Sequence, residues 1–246
     1  MKKAICALCI ACLSITFAGC NKLTQQSQMT EMEKIQKQLN EMENYQCTAT
    51  MERYSNKGNN TYETNQYFKS TGEYRLEITA PEAVAGNYTI FDGEKICQFN
   101  PRVSSKIIKE VPQNQQRNEL FLGQFLKNYM QSEGVSVEAA ALDESRCTVL
   151  EAVIPGGNKY TATEKLWVDN ETLKPVQFVI YDDKGNETYH LSYHTFEYDA
   201  VLDENLFKIT EWVNDTLLPF LNIRGIISSS AGNTFTKPKS RRWSTY

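Results

Sequence analysis

The chain has 246 residues, of which 26 are Lys or Arg and 30 are Asp or Glu, for a formal net charge of −4, and 41% are hydrophobic. This mildly acidic balance excludes a basic nucleic-acid binder, and the length and apolar share suit one domain of the larger kind with appendages. No stretch beyond the first twenty residues is apolar enough to span a bilayer, which takes about 20 such residues.

Lys2 and Lys3 precede an apolar run from Ala4 to Ala18, broken only by small polar residues such as Ser14 and Thr16. A basic start and a short apolar stretch make a signal peptide over residues 1–19 rather than an anchor helix. The residues Phe17-Ala18-Gly19-Cys20 resemble a lipobox, with Phe17 in the place of the usual leucine. The resemblance implies cleavage between Gly19 and Cys20 and a diacylglyceryl group on the Cys20 thiol. Each buried methylene contributes about 0.8 kcal/mol, so dual acylation anchors a protein stably without a spanning helix. The alternative is an ordinary secretory signal in which Cys6, Cys9 and Cys12 are small hydrophobes. Loss of residues 1–19 removes two lysines and no acid, taking the net charge from −4 to −6.

With Cys20 acylated, Cys47, Cys97 and Cys147 remain, too far apart for a zinc or redox motif. Cys47 and Cys147 fall in alternating patterns that read as buried small hydrophobes. A single disulfide, within or between chains, stays open.

Residues 20–29 are polar and aperiodic and read as a tether. Thr30 and Glu33 form a capping box, and Met29, Met32, Ile35, Leu39 and Met42 recur three or four apart, which predicts a helix to about Asn44. From Tyr45 the period is two, with Tyr45, Cys47, Ala49 and Met51 on one face and a turn at Asn56-Lys57-Gly58-Asn59. Further strands are predicted near 61–70, 73–79, 87–91, 95–99 and 103–109, with turns at Asp92-Gly93 and Asn100-Pro101. Leu120, Phe121, Phe125, Tyr129 and Met130 predict a second helix over 117–131. Strands resume near 145–154, 160–169, 175–182 and 187–198, separated by Pro155-Gly156-Gly157-Asn158, Asp169-Asn170-Glu171-Thr172 and Asp182-Asp183-Lys184-Gly185-Asn186. In the last strand Tyr189, Leu191 and Tyr193 share one parity and Phe196 and Tyr198 the other, which calls for a bulge between them. The expected fold is therefore α+β: a strongly curved antiparallel sheet of about ten strands, a half-open barrel, wrapped around helices.

The order of these parts resembles the LolA/LolB-like lipoprotein fold family across about residues 30–209. The resemblance rests on Asn44-Tyr45, Tyr74-Arg75-Leu76-Glu77, Asp92-Gly93-Glu94-Lys95, Asn100-Pro101, Leu166-Trp167-Val168-Asp169, Leu173-Lys174-Pro175, Tyr181-Asp182-Asp183-Lys184-Gly185-Asn186 and Leu202-Asp203-Glu204-Asn205-Leu206-Phe207-Lys208-Ile209. Within that family the chain is most similar to the GerS-like spore germination lipoproteins of clostridia. That implies a protein of the forespore or spore envelope that binds and activates a CwlD-like, zinc-dependent amidase of the spore cortex peptidoglycan. Lipoprotein sorting as in LolA serves an outer membrane, which a clostridium lacks, and the chain runs on past the point where family members commonly end. That extension, residues 210–246, has no acid after Asp215, so that residues 216–246 carry +5 and residues 20–215 carry −11. Such an end suits anionic lipid or an acidic partner, or is a flexible linker-like tail around Ser228-Ser229-Ser230-Ala231-Gly232.

His190 and His194 are the two histidines of the chain. Two such residues four apart in a strand stand about 13 Å apart, too far for one metal without other donors, so they read as solvent-side. Asp92, Asp169, Asp182 and Asp183 each adjoin a turn, where aspartate bonds its own backbone. With no nucleophile elbow, phosphate loop or Cys-His pair, no catalytic residue, metal or cofactor is expected. The leading expectation is an anchored, non-enzymatic regulator of a peptidoglycan amidase. The alternative is a carrier that holds an acyl chain in the sheet, which needs about 300 Å³ or more of open space. Exposed strand edges also leave a homodimer by strand exchange open.

Overall fold

The computed structural model describes residues 29–112 and 117–210. The expected signal peptide, the cleavage at Gly19 and Cys20, the lipid site Cys20, most of the tether and the extension from residue 211 lie outside the described residues. The chain divides into two units, 1–209 and 210–246, and the helices and the sheet all belong to the first.

The first helix, α1, runs Glu31–Glu41, shorter by three residues than its sequence pattern, because Met42 is already extended and Asn44 opens a strand. Its start is the expected capping box: the Glu33 N–H donates to Thr30 Oγ1 at 3.2 Å, and Thr30 N–H donates to the Glu33 carboxylate at 2.7 Å. The stripe buries Ile35 and Leu39.

Eleven strands follow, one more than expected: β1 Asn44–Arg53, β2 Asn60–Lys69, β3 Tyr74–Ala80, β4 Tyr88–Phe91, β5 Lys95–Asn100, β6 Ser105–Glu110, β7 Val135–Leu142, β8 Ser145–Asn158, β9 Thr161–Asp169, β10 Pro175–Tyr181 and β11 Glu187–Tyr198. The second helix, α2, spans Leu122–Gln131 between β6 and β7 and starts five residues later than predicted, since Asn118–Phe121 form a turn that leads into it. One antiparallel sheet holds every strand in the order β6-β5-β4-β3-β2-β1-β11-β10-β9-β8-β7. It is open, with β6 and β7 as its edges. The strand absent from the sequence reading is β7, whose residues are mostly exposed and so carry no alternation.

The first and last strands meet at the middle of the sheet. Tyr45 pairs with Tyr198, Cys47 with Phe196, Ala49 with Tyr193 and Met51 with Leu191. The register slips between Thr48 and Ala49, which leaves His194 as the extra residue. This is the expected bulge, and it keeps Leu191 and Tyr193 on the same face as Phe196 and Tyr198 despite their opposite parity. A second irregularity lies in β8, where pairing with β9 skips from Val153 to Asn158. Pro155-Gly156-Gly157 therefore bulges out of a strand, and the reversal itself falls at Lys159-Tyr160, immediately after the predicted turn.

One face of the sheet carries the core. Residues of α1 (Ile35, Leu39), α2 (Leu122, Phe125) and the strands, among them Tyr45, Phe68, Tyr74, Phe91, Leu150, Leu166, Phe178 and Leu191, form a single buried cluster. The opposite face is more polar, although Ile90, Cys97, Cys147, Val149 and Val179 are buried on it, and a 3-10 turn, Glu204–Phe207, follows β11. Lys69 fastens that turn by an ion pair to Glu204 at 2.7 Å and by lying 4.7 Å from the Phe207 ring centroid.

Candidate functional site

The side of the sheet that faces α2 is where a carrier would need space. Aromatic rings fill it. Tyr45 stacks on Phe68 and Phe196 with centroids 5.5 and 4.9 Å apart, Phe121 lies 4.6 Å from Tyr74, and Phe125 meets Phe178 edge-on at 5.7 Å. The gap left among Phe68, Tyr74, Phe91 and Phe121 is about 30 Å³, which is about the share of one water molecule in the liquid. At Gly123 the helix comes so close to the sheet that an added Cβ would overlap the tip of the Phe68 ring. The N-terminus of α2 has no side-chain cap of its own, since Phe121 stands at that position. Instead the Leu122 N–H donates to the buried Tyr45 hydroxyl at 3.2 Å, which satisfies one of the orphan donors of a helix start.

Farther along the same face, toward the β6 edge, lies an open groove of about 320 Å³, lined by Leu76, Ile78, Ile107 and the amides of Gln98 and Asn100.

Under α2 sits a polar cluster. Asn128, 2% exposed on the sheet side of α2, donates to Glu164 Oε1 at 2.9 Å and to Glu119 Oε2 at 2.7 Å. It accepts from Gln124 at 2.8 Å and from Arg117 at 3.3 Å, and Arg117 also pairs with Glu119 at 2.8 Å. Glu164 is fully buried, and its Oε2 has no partner among the described residues. Burial pushes the Glu164 carboxyl up from the ordinary 4.5 to about 8; the Asn128 hydrogen bond opposes the rise, Glu119 adds to it and Arg117 opposes it. Burial therefore favours the neutral acid form of Glu164 at pH 7. Its place was legible in part, because it shares the inward parity of Leu166 and Val168, where a carboxylate is out of place. Asn128 gave no such signal, since polar residues also line the outer face of a helix.

The residues singled out from sequence fall apart from one another. Cys47, Cys97 and Cys147 are all buried, and none is in a disulfide. Cys47 is on the core face, whereas the registers put Cys97 in β5 and Cys147 in β8 on the other, in opposite halves of the sheet. Burial raises all three thiols above their ordinary range. His190 and His194 are on the polar face: His190 Nδ1 lies 3.1 Å from Glu187, and His194 Nε2 lies 2.7 Å from Thr50 Oγ1. Asp92, Asp169 and Asp182 do the expected work, each accepting backbone N–H groups of its own turn; in Asp169 the bond from Thr172, and in Asp182 those from Asn186, hold the carboxyl below its usual range. Asp183 departs from that expectation, because it is its backbone N–H, donated to Lys159 O at 3.2 Å, that ties two turns together. No group of three or more His, Cys, Asp or Glu residues able to hold a metal occurs among the described residues, and no helix among them is long and apolar enough to cross a membrane.

A family model described as sporulation protein YdcC-like matches residues 1–207. A comparison with curated proteins gives no match. Among solved structures, the chain is similar to one in the structure of the CwlD amidase from Clostridioides difficile in complex with the GerS lipoprotein. The two are 33% identical over 70% of this chain and 97% of that one, with a TM-score of 0.42. A LolA superfamily protein from Nitrosomonas europaea is 15% identical over 74% of this chain and 98% of its own, with a TM-score of 0.40. An uncharacterized conserved protein from Thermus thermophilus is also 15% identical, over 74% and 96%, with a TM-score of 0.49.

Proposed function

The chain belongs to the sporulation protein YdcC-like family, and from that premise we propose that it is a membrane-anchored lipoprotein that binds and activates an N-acetylmuramoyl-L-alanine amidase of the spore cortex. The observation that carries this reading is the 33% identity over 97% of the chain from the amidase–lipoprotein complex. It is sequence identity that counts here, since TM-scores of this size say nothing about a partner.

In this reading residues 1–19 are removed, Cys20 carries the diacylglyceryl group on the extracytoplasmic side of the membrane, and residues 20–29 are the tether. Residues 30–209 are the binding domain, its sheet curled around the helices as a half-open barrel. The basic residues after 215 hold to anionic lipid or to an acidic partner, and strand exchange between two copies belongs to the same picture. The protein binds; the chemistry, and the zinc, belong to the amidase. Its role is to enable the cortex modification on which germination depends.

The test is to express the chain with the CwlD-like amidase of the same organism, purify one partner and measure both recovery of the other and hydrolysis of cortex peptidoglycan. Co-purification and raised hydrolysis are expected. An amidase that is neither retained nor changed in rate would overturn the proposal.

The carrier reading has one observation on its side, the groove of about 320 Å³ toward the β6 edge. Against it stands the ring-filled interior beneath α2. Retention of a radiolabelled fatty acid through gel filtration would favour it, and its absence would remove it.

A further inference from the structure

Three hairpin turns gather at one end of the sheet, because β1, β8 and β10 all end there and β2, β9 and β11 start there: residues 54–59, Lys159-Tyr160 and residues 182–186. Between them lies a cleft of about 730 Å³, within the range of about 300–1,000 Å³ typical of ligand sites. The turns are braced against one another and within themselves. Tyr54 N–H donates to Thr188 O at 2.9 Å and Asp183 N–H to Lys159 O at 3.2 Å. Asp182 Oδ1 accepts from Asn186 N at 2.8 Å, and Asn158 Oδ1 accepts from Tyr160 N at 2.8 Å. The cleft is therefore built on short, cross-tied turns rather than on loose ends.

Its lining combines two kinds of group. Tyr54, Tyr160 and Tyr189 supply rings. Tyr160 is 61% exposed although it sits at a turn tip, with the Lys159 ammonium 4.7 Å from its centroid. The second kind is polar and uncommitted: among the described residues no hydrogen bond or ion pair engages the side chains of Arg53, Lys57, Asn56 or Asn59. The two acids of the lining are already used, Asp182 by its own turn and Glu187 by His190. What remains to meet a ligand is flat apolar faces, amides and two cations.

Turns that only need to be soluble have no use for exposed rings. A ring face suits a partner that is itself flat and apolar on one side and polar at its rim. A carboxamide offers a donor and an acceptor in one plane, which fits two neighbouring hydroxyls. Arg53 and Lys57 add preference for a carboxylate, Arg through its planar fork and Lys as a point charge. A pyranose chain bearing carboxylates unites these three properties.

We propose that this cleft is a glycan site, which takes an amino-sugar chain with carboxylate substituents, such as a peptidoglycan strand, independently of any bound amidase. The protein would then hold the polymer as well as the enzyme that acts on it.

The experiment is calorimetric titration of the detergent-purified full chain, without amidase, with soluble peptidoglycan strands stripped of stem peptides and with chitotetraose as an uncharged comparison. The strands are expected to bind with a dissociation constant below about 1 mM and chitotetraose more weakly. Tyr160→Ala, and separately the pair Arg53→Ala and Lys57→Ala, are expected to weaken strand binding about tenfold or more; all three side chains are exposed, so an unchanged melting temperature is expected to accompany the loss. No binding of strands, binding unaffected by both variants, or equal affinity for chitotetraose would overturn the inference. A chain that binds strands but not the amidase would sink the proposed function and leave this site standing; the reverse would sink this site alone.

Discussion

Replacing Glu164 by Gln tests the polar cluster under α2 through its pH dependence. The Glu164 carboxyl titrates at about 8 in the folded protein against the ordinary 4.5. A carboxyl with a raised value stabilises the fold fully below pH 4.5, and that contribution is lost as the pH rises toward 8, because the unfolded chain ionises first. At about 1.4 kcal/mol per tenfold change in proton affinity, the loss between pH 5 and pH 9 comes to about 4 kcal/mol from this one group. Other groups titrate too, but they do so in both proteins, so the difference between wild type and variant isolates residue 164. Glu164→Gln keeps the oxygen that accepts from Asn128 and cannot ionise. Urea unfolding followed by tryptophan fluorescence at pH 5, 7 and 9 should show the variant gaining on the wild type as the pH rises, by up to about 3 kcal/mol at pH 7. Parallel pH profiles for the two proteins would refute the reasoning, and would mean that Glu164 is ionised in the fold or open to water.

Gly123→Ala gains about 1 kcal/mol of helix propensity but drives a methyl into the Phe68 ring, and overpacking costs about 1–3 kcal/mol; a net loss in thermal or urea stability is expected. Tyr45→Phe keeps the stacked ring and removes the acceptor of the Leu122 N–H, so a loss of about 1–2 kcal/mol is expected by the same unfolding assay. Cys20→Ser should move the protein from the detergent phase to the aqueous phase in Triton X-114 partition, and an unchanged distribution would remove the lipid anchor from the proposed function.

The fold was legible wherever burial on one face imposed a period. Tyr45, Cys47, Ala49 and Met51 announced β1, and the parity change between Tyr193 and Phe196 announced the bulge that the register places at His194. Where burial is absent the period is absent too. Val135 and Val137 are 51% and 46% exposed and Ala139-Ala140-Ala141 have no bulk to alternate, so β7 left no strand signal. Pro155-Gly156-Gly157 carried turn chemistry but serves as a bulge, since the same backbone freedom suits both. The pairing of β1 with β11 was out of reach, because nothing local to either strand names a partner about 150 residues away. The candidate site was less legible than the fold for a similar reason: Glu164 showed an odd parity, but the Asn128, Glu119 and Arg117 groups that define its chemistry come from a helix and a loop whose placement over the sheet no local pattern encodes.

The central pairing of β1 with β11 has a consequence for how the chain comes to be folded. Bonds such as the one from Gln46 to Glu197, at 2.6 Å, close a sequence separation of 151 residues. Until β11 has emerged, β1 has a neighbour on one side only, and the two halves of the sheet have no common seam. Contacts of such long range make folding slow. The seam that joins the two halves can therefore form only once nearly the whole domain has been synthesised, so the pairing that completes the sheet is also the last that the growing chain can make.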